Sequence, residues 1–222
     1  MAMDSLIGMG RMAIRLAPQL QLHEDETYKQ LQNPGRVRRI WWYLFNNDTM
    51  QMACSDCSGA FPLKESRVRL PEPTDFENPN TGSHVFCSLT ALFTTLRKVL
   101  ELGHTDNTPY DEVYATLNQL GLWRERLLLE LQLFDIARKN RQAYNRPVIE
   151  LHIFYLVIII LTCFLGRRDN PSLKYVSMTA SSCISRLYEV ILLYDDVLYL
   201  LPIHACANLV ASIPRSFGDK RQ

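Results

Sequence analysis

Apolar residues recur every three or four positions along most of this chain, which is the spacing of one face of an α-helix. The first stripe predicts a helix over about 5–20, which Pro18 should kink or end because proline removes a backbone donor. A second stripe predicts a helix over roughly 36–53. Trp41, Phe45, Asp48 and Met52 fall on one face of this second helix, so Asp48 should lie at the edge of an apolar surface.

Proline and glycine interrupt the pattern between Cys54 and about Ser83, so most of this stretch should lack regular structure. A loop of this length is unusual inside a compact domain, and we expect it to pack across the helices or to serve a function. Its breakers are Pro62, Pro71, Pro73, Pro79, Gly59 and Gly82.

Helical spacing returns from about His84 and stops at Gly103. A helix is expected to follow over about 108–143, with Pro109 as its first helical residue and a weak point at Gly121.

Pro147 and Pro171 should each open a further helix, the second reaching about Leu193. Residues 197–213 supply the last helix, which Pro202 must bend. No useful run alternates between apolar and polar residues, so few or no strands are expected. The predicted fold class is all-α: an irregular array of about seven helices with the long proline-rich loop after the second.

One segment raises the question of a membrane span. Leu151–Gly166 is a run of 16 residues that carries no formal charge when His152 is neutral. A spanning helix needs about 20 apolar residues. The length and the charged flanks therefore favour a central core helix, and no membrane association is predicted.

The overall charge argues against unaided nucleic-acid binding. The chain has 24 Lys and Arg against 23 Asp and Glu, for a formal charge of +1. A protein that binds duplex DNA normally concentrates a basic excess on its surface. The six cysteines are scattered, and four of them, Cys87, Cys163, Cys183 and Cys206, lie in apolar segments and are predicted to be buried free thiols. No secretory signal opens the chain, so an intracellular, reducing location is expected.

No motif for catalysis or for a bound metal stands out. Cys54 and Cys57 have the spacing of half a zinc site, but no suitable second pair follows, and two loop thiols are the favoured interpretation. Glu150 and His152, two apart on a helix, should point to different sides. We therefore predict a non-enzyme with no catalytic, cofactor-binding or metal-binding residues.

Basic residues surround the start of the second helix at Arg36, Arg38 and Arg39. They could bind phosphate beside the tryptophans. Cations at a helix start oppose the macrodipole, however, so structural pairing with Asp48 or with an acid from the loop is favoured. Asp48 must be paired if it is buried, because an isolated buried carboxylate is very costly.

The later helices are rich in aromatic and sulfur-containing residues, which could line a pocket for an apolar effector. Such stripes are more often plain core. The residues concerned are Phe154, Tyr155, Cys163, Phe164, Met178, Cys183 and Tyr188.

The segment RRIWWYLFNND from Arg38 onward, followed by VRLP at Val68–Pro71, resembles the regulatory "middle homology" domain of fungal binuclear zinc-cluster transcription factors. Gly8–His23 and Leu151–Leu161 resemble two further helices of that family, and the resemblance covers roughly residues 6–213. The family signature, interpreted as structural, falls on Arg38, Arg39, Trp41, Trp42, Phe45, Asp48, Leu70 and Pro71.

The sequence also departs from the family pattern. Gln21 stands where the family prefers glycine, Thr49 replaces a common arginine, and Cys163 begins a stretch that replaces a frequent His-Arg-Pro. Family members carry a six-cysteine zinc cluster ahead of this region, and the chain shows none. We therefore expect no zinc or other cofactor in this chain and no direct binding to nucleic acid.

The resemblance implies that residues 1–213 form the C-terminal part of a regulatory domain, with 214–222 as a flexible tail. It implies transcription regulation in a fungal nucleus through contacts with other transcription-factor subunits or co-regulators, and a small-molecule effector is compatible with this role. The alternative is a small-molecule binding protein or helical enzyme associated with a metabolic gene set. A dominant-negative partner of full-length relatives is a third hypothesis.

Overall fold

The computed structural model describes residues 12–13, 16–17, 19–28, 31–55, 59, 67–104, 108–135, 140–166, 170–200 and 203–216. Within these residues lie seven α-helices and one antiparallel pairing of two two-residue strands, so the predicted all-α class is confirmed. The chain divides into two compact units, Met1–Thr94 and Thr95–Gln222.

The first unit holds two complete helices and the start of a third. They are α1 (Asp25–Tyr28), α2 (Pro34–Ser55) and α3 (Thr81–Gly103), with a 3₁₀ turn at Pro73–Asp75 inside the loop between α2 and α3. Most of the helix predicted over 5–20 lies outside the described residues, although Met12, Ala13, Leu16, Ala17 and Gln19 are helical.

Helix α2 begins two residues before its predicted start. The Oδ1 atom of Asn33 accepts a hydrogen bond from the Arg36 amide at 2.9 Å, and Pro34 occupies the first helical position. An asparagine cap followed by proline is a strong helix start, because the cap supplies an acceptor and proline needs none. Trp41, Phe45 and Met52 of the predicted apolar face are buried, and Asp48, which was expected at its edge, is buried as well.

Helix α3 also begins earlier than predicted, through a reciprocal cap. Asn80 accepts a bond from the Ser83 amide at 3.1 Å, and Ser83 Oγ accepts one from the Asn80 amide at 2.8 Å. This pairing satisfies two amides that the helix leaves open, so it sets the start of α3. The helix ends at Gly103, as predicted.

The second unit contains the remaining elements around an apolar core. They are α4 (Tyr110–Glu125), a 3₁₀ turn (Leu129–Leu131), β1 (Phe134–Asp135), β2 (Asn140–Arg141), α5 (Arg146–Leu165), α6 (Pro171–Leu193), a 3₁₀ turn (Val197–Tyr199) and α7 (Ile203–Ser216). One core cluster of this unit is formed by α5, α6 and α7. The starts at Pro147 and Pro171 agree with prediction. The last helix begins at Ile203 rather than at the predicted Val197, which lies in a 3₁₀ turn, and Pro202 lies outside the described residues.

The single long helix predicted over 108–143 is wrong. Helix α4 ends at Glu125, passes through Gly121 without a break, and has Pro109 as its N-cap rather than its first residue. After the helix the chain turns so that Leu127 and Leu131 are buried. A continuous helix through this leucine-rich run would carry apolar residues around most of its circumference, whereas the turn buries only some of them.

Helix α5 is 20 residues long rather than 16, and this length fits a membrane-spanning helix as well as a core helix. Of the described residues, α5 and α6 are long and apolar enough to cross a membrane by length and composition alone. This is weak support for a span, because a buried core helix passes the same test. The most apolar stretch of α5 is 61% buried, whereas that of α6 is 33% buried.

Candidate functional site

The signature residues lie in the first unit, on α2 and on the loop that follows it. Six of the eight are buried: Arg38, Trp41, Trp42, Phe45, Asp48 and Pro71. Arg39 is half-buried, and Leu70 is exposed by 43%. The sequence therefore grouped residues that the fold brings to one region, but it did not distinguish the exposed leucine from the buried proline beside it.

An aspartate from the loop organises the basic residues of this region. Asp75 Oδ1 accepts hydrogen bonds from Arg38 Nη1 at 2.5 Å and from Arg69 Nη2 at 2.8 Å. Its Oδ2 accepts from Arg69 Nη1 at 3.0 Å and from the Glu72 amide at 2.9 Å. We call Arg38, Arg69, Glu72 and Asp75 the Asp75 cluster. Four donors around one carboxylate offset the cost of burying its charge.

The backbone approaches closely where the Asp75 cluster meets α2. The 3₁₀ turn Pro73–Asp75 is closed by the Phe76 amide, which donates to the Pro73 carbonyl at 3.1 Å. A Cβ atom on Gly35 would lie 2.7 Å from the Asp75 carbonyl oxygen. Only glycine leaves room for this contact between the helix start and the loop.

Trp42 ties the loop to α2 by a second route. Its indole Nε1 donates to the Arg69 carbonyl at 2.8 Å, and its ring meets Phe45 edge-on at 5.2 Å. A buried indole N–H normally needs an acceptor, and the loop backbone supplies it. Trp42 therefore holds the backbone of the same residue whose side chain binds Asp75.

Aromatic rings cover the two arginines of the signature. The Arg38 guanidinium lies 5.3 Å from the Tyr28 ring centre, and that of Arg39 lies 4.7 Å from the Phe76 ring centre. Phe76 in turn meets Phe86 of α3 at 5.9 Å. Such contacts stabilise a cation that has lost part of its hydration. Arg38 and Arg39 are therefore built into the packing of this unit.

The predicted structural pairing of the basic residues is confirmed for Arg38, which pairs with an acid from the loop. The sequence reasoning missed both Asp75 and Arg69. Arg69 stands inside the recognised VRLP motif, and Asp75 closes the proline-rich turn after it, so a search for acids near that motif could have found the pair.

The predicted chemistry outside this region can be placed only in part. Cys57 lies outside the described residues, and Cys54 is exposed. The predicted burial of four thiols is confirmed for Cys163 and wrong for Cys183, which is exposed, while Cys87 and Cys206 are half-buried. Within the described ranges no group of three or more His, Cys, Asp or Glu side chains could hold a metal ion. Met178 and Cys183 are exposed whereas Phe154 and Cys163 are buried, so the aromatic and sulfur set does not line one common pocket.

A second polar cluster lies within the second unit. His204 Nδ1 lies 2.9 Å from Tyr188 Oη, and its Nε2 lies 3.8 Å from Glu150 Oε1, which Arg146 Nε approaches at 3.3 Å. Burial lowers the pKa of His204 to about 4 and raises the pKa of Glu150 and of Tyr188. A neutral histidine and a protonated tyrosine fit a structural network better than a proton-transfer site.

Glu150 and His152 contact different groups, as predicted. Glu150 faces Arg146 and His204, whereas His152 Nε2 lies 2.8 Å from the Leu131 carbonyl oxygen. Burial lowers the pKa of His152, so the neutral ring is favoured. The two side chains therefore cannot act on one substrate.

Comparison of this chain with protein-family models, with curated proteins and with solved structures found no match. The family resemblance thus stays a prediction from the sequence motifs.

Proposed function

We propose that this chain is a non-catalytic regulatory domain that acts in transcription in a fungal nucleus through contacts with other proteins. The observation that carries the proposal is the Asp75 cluster. It ties the loop motif VRLP to the Trp41-Trp42 helix, the two parts of the sequence on which the family resemblance depends.

The contacts of the signature support a structural role for it. Both oxygens of Asp75 accept two hydrogen bonds each, and the Trp42 indole donates to a backbone carbonyl. A catalytic or ligand-binding set would hold polar atoms ready for a substrate. Here the same atoms hold a loop against a helix, which suits a domain that acts through its outer surface.

The charge of the chain suits a regulator that depends on another protein for contact with DNA. A formal charge of +1 gives little attraction to phosphates, and Arg38 and Arg69 are paired with Asp75. Sequence-specific duplex binding usually requires several unpaired cations on one face. On this proposal the chain changes the activity of a DNA-bound partner.

A reporter assay in a fungal cell tests the role directly. The chain is placed between a heterologous DNA-binding domain and an activation domain, and reporter output is compared with that of a fusion holding a flexible linker instead. A several-fold change in output is expected for the chain. The matched variant Asp75→Asn should lose the effect because it opens the cluster, while Glu77→Gln should keep it.

Two outcomes would contradict the proposal. If the fusion is present in the nucleus at the level of the linker control and reporter output is identical, the chain does not regulate. Specific binding of the isolated chain to a duplex, measured by fluorescence anisotropy against random DNA at matched salt, would also contradict the proposal.

A further inference from the structure

Helix α6 leaves one long face uncovered. Its buried side faces the core through Leu173, Ser177, Ala180, Ile184, Leu187 and Ile191. On the other side, exposed positions repeat at steps of four and three, so they form a line along the helix. We call this line the outer seam: Tyr175, Thr179, Ser182, Arg186, Glu189 and Leu193.

Large apolar side chains lie at the two ends of the outer seam and beside its C-terminal end. Tyr175 is 74% exposed and Leu193 is 82% exposed, with Leu192 beside it at 66%. Leu198, on the 3₁₀ turn just after the helix, is 88% exposed. Isolated surface leucines are ordinary, but a concentration of this size at one end of a helix is typical of an interaction surface.

Two opposite charges lie near the middle of the outer seam. Arg186 and Glu189 are both exposed, and neither forms an ion pair within the part of the chain that the structure describes. An arginine three residues before a glutamate is also the less favourable order for a pair on one helix. Both charges are therefore available to a neighbouring molecule.

We infer that a second copy of this chain docks antiparallel along the outer seam. A two-fold axis passing between Leu187 and Tyr188 sets residue 186 of one copy level with residue 189 of the other. The long guanidinium of each Arg186 can then reach Glu189 of the second copy, and the symmetry makes this contact twice. A parallel arrangement would instead place like charges level with each other.

The same register also determines which other residues of the outer seam face each other in the two copies. Leu193 of one copy faces Ser182 of the other, so a large side chain meets a small one. The exposed end with Leu193 and Leu198 then extends toward the end that carries Tyr175 in the second copy. In this register opposite charges lie level with each other and a large side chain faces a small one, which is the complementarity that a two-fold interface requires.

The size of the surface sets the expected strength. A helix of 23 residues is about 35 Å long, and one helix with one turn per copy falls among interfaces below about 1,200 Å² in total. Interfaces of this class are reversible, so a monomer–dimer equilibrium with a dissociation constant on the order of micromolar is expected. The inference does not depend on the proposed role in transcription.

Charge reversal provides the test, with the full chain studied by sedimentation equilibrium over a range of concentrations. Arg186→Glu or Glu189→Arg alone places like charges across the two-fold axis twice, and should weaken dimerisation about tenfold. The double variant restores opposite charges and should return the dissociation constant to near that of the unmodified chain. Lys174→Glu, an exposed change at the edge of the same helix, should leave it unaltered.

A crosslinking experiment tests the register separately. In a Cys183→Ser background, Ser182→Cys with Leu193→Cys places two thiols opposite each other in the dimer. Within one copy they are about 16 Å apart along the helix, too far for a disulfide. A crosslinked dimer that needs both substitutions supports the register, and its absence at concentrations where the chain dimerises overturns it.

Three results would overturn the inference as a whole. A chain that stays monomeric at all concentrations has no such interface, and a dimer indifferent to both single charge reversals uses another surface. Flotation of the chain with phosphatidylcholine vesicles, abolished by Leu193→Ser, would mean that the exposed end contacts lipid instead. Circular dichroism of each variant confirms that a lost dimer does not reflect a lost fold.

Discussion

Arg69 binds Asp75 through two parallel hydrogen bonds, with Nη1 3.0 Å from Oδ2 and Nη2 2.8 Å from Oδ1. This forked geometry fits the planar guanidinium to the planar carboxylate. Arg38 adds a third bond from α2 to the same carboxylate. One loop aspartate therefore joins two segments that are separated along the chain, and its removal should affect both.

Replacing Asp75 by asparagine should destabilise the protein by about 3 kcal/mol. The carboxylate side chain is only 4% exposed, and its loss leaves the Arg38 guanidinium, 10% exposed, without its anionic partner. The measurement is urea unfolding followed by circular dichroism. Glu77→Gln, at an exposed position nearby, should change the free energy of unfolding by less than about 0.5 kcal/mol. Equal effects of the two substitutions would contradict the pairing.

Trp42→Phe should cost about 1 kcal/mol of stability, because it keeps most of the ring but removes the hydrogen bond from Nε1 to the Arg69 carbonyl. The same unfolding assay measures this loss. Combining Trp42→Phe with Asp75→Asn should cost less than the sum of the separate effects, since both hold the segment around Arg69. Simple additivity would show that the two contacts act independently.

Two glycines should respond to alanine in opposite ways. A Cβ at Gly35 would lie 2.7 Å from the Asp75 carbonyl oxygen, so Gly35→Ala should destabilise the fold by about 2 kcal/mol. Gly121, within α4, has nothing within 4 Å of an added Cβ, and Gly121→Ala should stabilise by about 0.5–1 kcal/mol. Thermal unfolding of both variants checks the pair, and a destabilising Gly121→Ala would contradict it.

Acid should weaken the second unit through His204, whose pKa burial lowers from 6.5 to about 4. Between pH 6.5 and pH 4 the His204 side chain binds a proton in the unfolded chain but not in the folded chain. The free energy of unfolding therefore falls as the pH drops from about 6.5 to 4. The expected loss between pH 7 and pH 4.5 is about 2 kcal/mol. Glu150 has the opposite effect on stability. Burial raises its pKa, so as the pH drops the folded chain binds a proton at this carboxyl group at a higher pH than the unfolded chain does.

A substitution at His204 separates the effect of its titration from that of the other titratable groups. His204→Asn keeps an acceptor for Tyr188 but removes the titration, so the free energy of unfolding should fall less steeply with acid than in the unmodified chain. Urea unfolding at pH 7 and pH 4.5 gives the comparison. If the two chains lose the same stability over this range, His204 does not control the response.

Several helices follow from short stretches of sequence. Pro147 and Pro171 mark helix starts because proline suits the first turn, and Gly103 marks an end. The buried face of α2 follows from the spacing of Trp41 and Phe45. Each of these signals depends on residues within a few turns of one another, and so does the predicted all-α class.

The end of α4 and the identity of the loop acid that binds Arg38 could not be predicted from local sequence. Leu131 is buried by a turn, and its carbonyl bonds a histidine 21 residues away. Arg38 and Asp75 are 37 residues apart and meet because α2 and the following loop pack together. Local spacing and capping thus determined which segments are helical and which face of α2 is buried. The choice of partner for each buried charge, and the point where the leucine-rich run leaves the helix, depended on tertiary packing, because residues distant in the sequence compete for the same contacts.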